Sequence, residues 1–360
     1  DEAATRAALE TARTVVVYDL PDTGELLRLF HDGVTIISEV GPPIEHLEYH
    51  AVRSAPDADA AYADLVARYE LQVLLTDHFL VQSDVARATL ITSLCHLGRL
   101  TRANYDASAP LDHLISALPL GFSRAAAARA RQASPTLPPI DFTWSGGLWD
   151  YYDPIAVVRA VAHLKQRGRP VRVRFLYPPP PDQVLKEAAG LREAIAAFGV
   201  ERFVELRENP PGHADRDGAL LSTRALVCVA KPGIENATCV RLRLRDTLLY
   251  SLPLVSDACG ATATEVRALG IGLAVDCRDP AELAAAMETV ARDDTARRQM
   301  IDRLRSVRER FVLDDYVQPV LDVVRERRHA SDRGKAAHAR RLTEMLARHA
   351  DLWKRPVYPW

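Results

Sequence analysis

The chain has 360 residues, 48% of them hydrophobic and 26% charged, with 46 Lys and Arg against 48 Asp and Glu. That length accommodates two domains with separate cores, and a formal net charge of -2 lacks the basic excess of a nucleic-acid binder, so no nucleic acid is expected as a partner. No apolar run reaches the roughly 18 residues needed to cross a membrane, the opening DEAATRAALE has neither the basic nor the apolar region of a signal peptide, and five scattered cysteines without a C-x-x-C pair support neither a disulfide framework nor a zinc site. A cytoplasmic protein is expected, and the first residue, Asp1 where a Met would open a complete chain, predicts a processed or cut product.

Thr14–Tyr18 (TVVVY) is β-branched and strand-like, Gly24–Phe30 helix-like, and Val34–Ser38 a second strand. A Gly41-Pro42-Pro43 loop follows, then a helix from about Ala58 to Leu75, a strand at His78–Val81 and a helix opening at Ser83, which reads as its N-cap. The Ala-, Ser- and Pro-rich stretch 124–139 reads as a linker between a first domain, 1–123, and a second, 140–312. In the second, strands are expected at Ile140–Thr143, Val171–Leu176, Phe203–Leu206, Ala225–Val229 and Leu254–Ser256, with helices at Pro154–Arg167, Asp182–Phe198 and Asp279–Asp293. A charged helical segment, 313–360, closes the chain, with Leu342, Met345, Leu346 and His349 on one face. Apolar strands alternating with helices predict an α/β protein of two Rossmann-like units with a cleft between them as the site. The first unit opens on a helix and has fewer strands, which predicts that its first elements are missing.

The sharpest local feature runs from Trp144 through Ser145-Gly146-Gly147-Leu148-Trp149-Asp150 to Asp153-Pro154, between a strand and a helix. Gly146 and Gly147 permit close backbone approach to a ligand, Asp153 and Pro154 fit a helix start, and that helix N-terminus offers N–H groups to a phosphate. The same residues also fit a tight strand-to-helix turn with a capped helix. A second set joins Lys231-Pro232-Gly233-Ile234-Glu235 to Arg241-Leu242-Arg243-Leu244-Arg245-Asp246. Arginines neutralise a diphosphate and carboxylates accept hydrogen bonds from sugar and ribose hydroxyls. At helical spacing the three arginines cannot all face one way, and any one of them is as well explained by a solvated helix face.

Together these residues give a resemblance. Trp144 to Leu273 resembles the nucleotide-binding half of group 1 glycosyltransferases of GT-B fold, especially a bacterial branch with W-G-G-G-x-x-D-W-x-D-P near the domain start and a later E-T-R-x-A-x-R-T-R-x-L-D-Y. Phe79-Leu80-Val81-Gln82-Ser83, Leu97-Gly98-Arg99 and Leu118-Pro119-Leu120-Gly121-Phe122 extend it, so that it covers about residues 15 to 290. The family's E-x7-E becomes E-x10-D here, Glu235 and Asp246. The resemblance implies a retaining, metal-independent enzyme that moves a hexose-type sugar from a nucleoside-diphosphate donor to an acceptor hydroxyl in glycan or glycoconjugate synthesis, without a cofactor. It implies that Glu235 orients the donor sugar as the catalytic carboxylate. Asp246 would hold the ribose, Arg241 or Arg243 would meet the diphosphate, and Gly146 and Gly147 would lie near the phosphates.

The acceptor, a glycan, a lipid-linked species or a small molecule, is expected on the first domain, where Glu39, Glu45, His46 and His50 follow a strand end. Two D-x-D strings, Asp57-Ala58-Asp59 and Asp215-Arg216-Asp217, read as turns or caps rather than metal ligands. The basic tail from Arg325 to Arg341 is read first as a face packed on the first domain and second as a peripheral contact with the inner membrane surface. An inactive nucleotide-sugar-binding subunit acting through a partner is the alternative to a transferase. A dehydrogenase is disfavoured by the lack of a G-x-G-x-x-G loop.

Overall fold

The computed structural model describes residues 2–41, 52, 56–177, 186–212, 215–351 and 353. It divides into two units, Asp1–Pro119 with Asp315–Trp360, and Leu120–Asp314.

The first unit is built on four parallel strands, β1 (Thr14–Val17), β2 (Thr35–Glu39), β3 (His78–Val81) and β4 (Ile115–Ala117), lying side by side in chain order. Val15 pairs with Ile36, Ile37 with His78 and Phe79 with Ile115. The inner strands β2 and β3 are buried at every position except Glu39, as strands covered on both faces must be. The crossover helix Ala58–Leu75 begins where the Asp57 carboxylate accepts the Ala60 N–H at 3.1 Å. It buries Leu65, Leu71 and Leu74 against Phe79 and Ile36. The strand β4 is only three residues long, too short for a periodic signal.

The end of the chain completes this unit. Helix Gln318–Glu326 lays Val320 and Val323 on Ile37 and Leu80, and helix Ala336–Arg348 adds Leu342 and Met345 to the core around Phe79. Between these helices Asp332 accepts two hydrogen bonds from Arg99, Nε and Nη2 each at 2.8 Å, with both side chains 1% exposed. Asp77 receives the Ala330 N–H at 3.0 Å and pairs with Arg333. Of the basic residues of this tail, Arg333 and His338, which meets the Leu74 carbonyl at 2.8 Å, are engaged with the unit, while Arg325, Arg327, Arg328, Lys335, Arg340 and Arg341 stay exposed.

The second unit has six parallel strands, β5 (Ile140–Trp144), β6 (Val173–Phe175), β7 (Val204–Leu206), β8 (Thr223–Cys228), β9 (Leu254–Asp257) and β10 (Gly272–Val275), in the order β10-β9-β8-β5-β6-β7. The chain steps outward from β5 to β7, then returns to the other side of β5 and steps outward again. Strand order therefore reverses between β5 and β8, and the loops leaving these neighbours part at their carboxyl ends, where a Rossmann sheet receives its ligand. The helix after β5, Pro154–Gln166, presses Val157, Val158 and Val161 into a core with Phe142, Trp144, Phe175 and Leu226.

The stretch read as a linker is instead helical over Arg124–Gln132, capped by Ser123, whose hydroxyl accepts the Ala126 N–H at 3.1 Å. Its buried face is made of Ala126, Ala127 and Ala130, which join the core of the second unit. Among the described residues no helix is long and apolar enough to cross a membrane.

Candidate functional site

Trp144 ends β5 fully buried and donates its indole N–H to the Gly147 carbonyl at 3.2 Å, folding the following loop back over the strand end. Asp153 closes that loop by accepting the Ala156 N–H at 3.0 Å, with Pro154 in the first turn. The helix N-terminus expected to serve a phosphate is therefore filled by its own cap. The unengaged donors lie earlier: among the described residues the backbone N–H groups of Gly146 and Gly147 make no hydrogen bond.

Arg243, the first residue of helix Arg243–Tyr250, explains the first glycine. Its guanidinium lies so close over Gly146 that a Cβ there would overlap it. Nη1 donates to the Tyr152 hydroxyl at 2.5 Å and Nη2 to the Gly147 carbonyl at 3.1 Å, and the group stacks on the Tyr152 ring 4.6 Å from its centroid. Gly146→Ala is expected to lower both the melting temperature and ligand affinity, with about 1–3 kcal/mol lost as Arg243 is displaced; an unchanged melting curve would show that the guanidinium is not confined.

Arg241 is 4% exposed in side chain, stacks on Tyr151 and Tyr152 at 4.4 and 5.2 Å, and reaches Glu235 at 3.3 Å. Burial pushes the Tyr152 phenol up to about 12 and that of Tyr151 further, so both rings stay neutral. Two buried guanidiniums thus share this aromatic cluster with one carboxylate, Glu235. Nε and Nη2 of Arg241 and Nε of Arg243 are buried without a hydrogen-bond partner, an arrangement that favours an anion.

Glu235 sits on the short helix Ile234–Thr238 after β8. The next residue anchors it: Asn236 Nδ2 donates to Asp257 Oδ1 at 2.8 Å and to the Cys259 carbonyl at 3.1 Å, while Asp257 Oδ2 accepts the Ala230 N–H at 3.0 Å. Asp257, at the end of β9, ties both ends of this loop to the sheet, and its burial raises its pKa. Gly260, with φ of 96°, lies against the Asn236 carbonyl where no side chain would fit.

A cavity of about 470 Å³ opens beside these residues. Ser145, Gly146, Gly147 and Trp149 line it from the β5 loop, Leu242, Arg243, Arg245, Asp246 and Tyr250 from the helix after β8, and Tyr177, Arg129, Arg216 and Asp217 from other elements. Four arginines face two carboxylates, which leaves a net positive lining. Asp246, 3% exposed, uses Oδ2 to accept both the Ser145 hydroxyl at 2.8 Å and Arg216 Nη2 at 2.7 Å, so that neither of these donors occupies Oδ1. Arg216 also donates to the Tyr177 hydroxyl at 2.9 Å. Asp217 accepts from Arg129 at 2.8 Å and from the Tyr250 hydroxyl. Burial alone would raise the Asp217 carboxyl, but these hydrogen bonds hold its pKa below the ordinary value.

Of the residues singled out in sequence, Gly146, Gly147, Arg243 and Asp246 line this cavity, whereas Glu235 and Arg241 stand outside its lining, joined to Arg243 through the Tyr152 ring. Glu39, at the end of β2 in the first unit, accepts a hydrogen bond from Gln82. Glu45, His46 and His50 lie outside the described residues. Of the D-x-D strings, Asp57 is a helix cap and Asp217 the ion-pair partner of Arg129. The motifs missed Arg129, Tyr177, Arg216 and Tyr250, which come from separate elements. Only the alternation of charge in Asp215-Arg216-Asp217 hinted at a paired network.

No family model matches the chain, and no curated protein matches it in sequence. Among solved structures it is similar to an α,α-trehalose-phosphate synthase (UDP-forming) from Burkholderia vietnamiensis, with a TM-score of 0.65 and 14% identity over 90% of this chain and 77% of that one. It is similar also to HepE from Anabaena in complex with UDP, with a TM-score of 0.58 and 13% identity over 90% of this chain and 81% of that one. A sucrose-phosphate synthase from Thermosynechococcus elongatus gives 0.57 and 14% over 90% and 76%. The likeness is one of fold, and the fold is GT-B: two Rossmann-like units, as the alternation of strands and helices predicted.

Proposed function

We propose that this chain is a glycosyltransferase that takes a hexose-type sugar from a nucleoside-diphosphate donor, with retention and without a metal, and passes it to an acceptor hydroxyl. The observation that carries the reading is the cavity at the reversal of strand order, where glycine N–H groups, a net positive lining and a carboxylate with an uncommitted oxygen meet. A nucleoside diphosphate needs those three things: N–H donors and positive charge for the phosphates, and an acceptor for the ribose hydroxyls. Similar solved structures include UDP-forming enzymes and a complex with UDP, which makes UDP the first donor nucleotide to test.

In this reading the anomeric carbon–oxygen bond to the diphosphate breaks as the acceptor oxygen takes its place. Gly146 and Gly147 with the arginine-rich lining stabilise charge on the departing diphosphate, the role a divalent cation fills elsewhere. Asp246 Oδ1 accepts from the ribose, and Glu235, steadied by Arg241, faces the sugar. Glu39 is the acceptor-side residue among those described. A second reading, a nucleotide-sugar-binding subunit without transfer, draws on the pairing of Glu235 with Arg241, and turnover separates the two.

Calorimetric titration with UDP, GDP, dTDP and ADP is the test. Micromolar binding of one of them is expected, and Asp246→Ala is expected to weaken it by about 10-fold or more, the worth of a charge-assisted hydrogen bond. Absence of binding across the panel would overturn the donor site. Unaltered affinity in the variant would overturn the role of Asp246.

A further inference from the structure

We infer that Arg245, rather than Arg241 or Arg243, is the arginine that contacts the anionic end of the ligand, so that it sets how strongly the site prefers a diphosphate to a monophosphate. The inference rests on the donor-site reading above and deepens it. The resemblance put Arg241 or Arg243 on the diphosphate; the partners of the three arginines point to Arg245 instead.

Arg243 spends Nη1 and Nη2 on the Tyr152 hydroxyl and the Gly147 carbonyl and is pinned between Gly146 and the Tyr152 ring, with only its Nε left over and that atom buried. Moving it to follow a ligand would undo the glycine loop itself. Arg241 has two donors without a partner, Nε and Nη2, but both are buried, and the side chain is held between Glu235 and two tyrosine rings outside the cavity lining. Two further arginines of the lining are also committed. Arg129 is paired with Asp217 at 2.8 Å, and Arg216 is shared between Asp246 and Tyr177 at 2.7 and 2.9 Å. These hold carboxylates and a phenol in place, and their charge is largely met within the protein.

Arg245 differs on each count. It lines the same cavity, one residue before Asp246, and its side chain is exposed. Among the described residues it makes no ion pair and no side-chain hydrogen bond. A free planar guanidinium with five N–H donors suits two phosphate oxygens at once. Gly146 and Gly147, whose N–H groups make no hydrogen bond among the described residues, line the same cavity, so an anion bound there would have backbone donors and one exposed guanidinium within its surroundings. A long exposed arginine gains little by folding back on a committed lining, and its ordering on binding is repaid only when a second phosphate is present to be grasped.

The test compares UDP with UMP, GDP with GMP, dTDP with dTMP and ADP with AMP by calorimetry on the whole chain, in wild type, Arg245→Ala and Arg245→Lys. For the base that binds, Arg245→Ala is expected to weaken the diphosphate roughly 10- to 100-fold and the monophosphate far less, so that the preference for the diphosphate collapses. Lys should restore part of it. Because the side chain is exposed, the melting temperature of Arg245→Ala should match wild type, which separates a lost contact from a lost fold. If wild type prefers the diphosphate and Arg245→Ala keeps that preference, the assignment of Arg245 fails and the donor site stands. If wild type binds none of the eight nucleotides, the donor-site reading fails and takes this inference with it.

Discussion

Exchange of Glu235 for Gln is expected to lower sugar transfer by roughly 10²–10³-fold, the usual cost of removing one electrostatic contact made in the transition state, while leaving nucleoside-diphosphate affinity nearly unchanged. The asymmetry follows from where the residue sits. Glu235 is outside the lining of the cavity assigned to the nucleotide, and it pairs with Arg241, which shares the Tyr152 ring with Arg243 of that lining. Gln keeps the volume and an acceptor oxygen for Arg241 but removes the negative charge, so the buried guanidinium is left less well compensated and the chemistry loses its carboxylate. Turnover of the selected nucleotide sugar and calorimetry on the same preparation give the two readings. Wild-type turnover in the variant would refute the assignment, and so would a parallel loss of binding, which would make Glu235 part of the nucleotide site.

The other large effect concerns stability. Asp332→Ala is expected to cost about 3–5 kcal/mol, the penalty for removing one partner of a buried ion pair. The Arg99 guanidinium would keep the Val73 and Thr76 carbonyls, which it meets at 2.7 and 2.6 Å, but would lose both bonds to the one carboxylate it meets among the described residues. Asn at this position should recover part of the loss. The pH dependence has a definite sign. Burial alone would raise the Asp332 carboxyl, but the hydrogen bonds and charge of Arg99 outweigh it and depress the pKa below the ordinary 3.8. A depressed carboxyl stabilises the fold above its unfolded value, and that contribution is lost as pH falls through and below about 4. Urea unfolding at pH 7 and pH 3 should therefore show wild type and Asp332→Ala converging in acid; a constant gap between them would mean that the pair does not titrate with folding.

Much of the fold was legible because its signals are local. The β-branched run at Thr14–Val17, the Asp57 and Ser83 caps and the Pro154 and Pro280 helix starts each declare an element within a few residues. The helix Arg124–Gln132 escaped because its buried face is all alanine, which gives little hydrophobic contrast with its surroundings. The strand β10 escaped because four residues after a helix C-cap glycine carry no usable period. The site divided in the same way. Gly146 and Gly147 announce a close approach, but the reason, the Arg243 guanidinium, lies nearly a hundred residues on. The Ser145–Asp246 bond spans 101 residues and the Arg216–Asp246 bond 30, distances over which spacing says nothing. The resemblance put Arg241 or Arg243 on the diphosphate, and only burial and partners set them apart from Arg245.

The first unit is interrupted: its sheet and its closing helices flank the whole of the second unit, and the Arg99–Asp332 contact joins positions 233 residues apart. During synthesis the usual N-to-C order of domain folding is therefore expected to invert. Leu120–Asp314 is one continuous stretch that can fold as it emerges, while β1 to β4 wait with Arg99, Ile37 and Leu80 uncovered until the ribosome has delivered Val320, Val323 and Asp332. The cavity proposed for the nucleotide lies within that continuous stretch. A nascent chain halted shortly after Asp314 would be expected to hold a formed cavity beside a half-made neighbour, and it is the neighbour that needs shelter from aggregation.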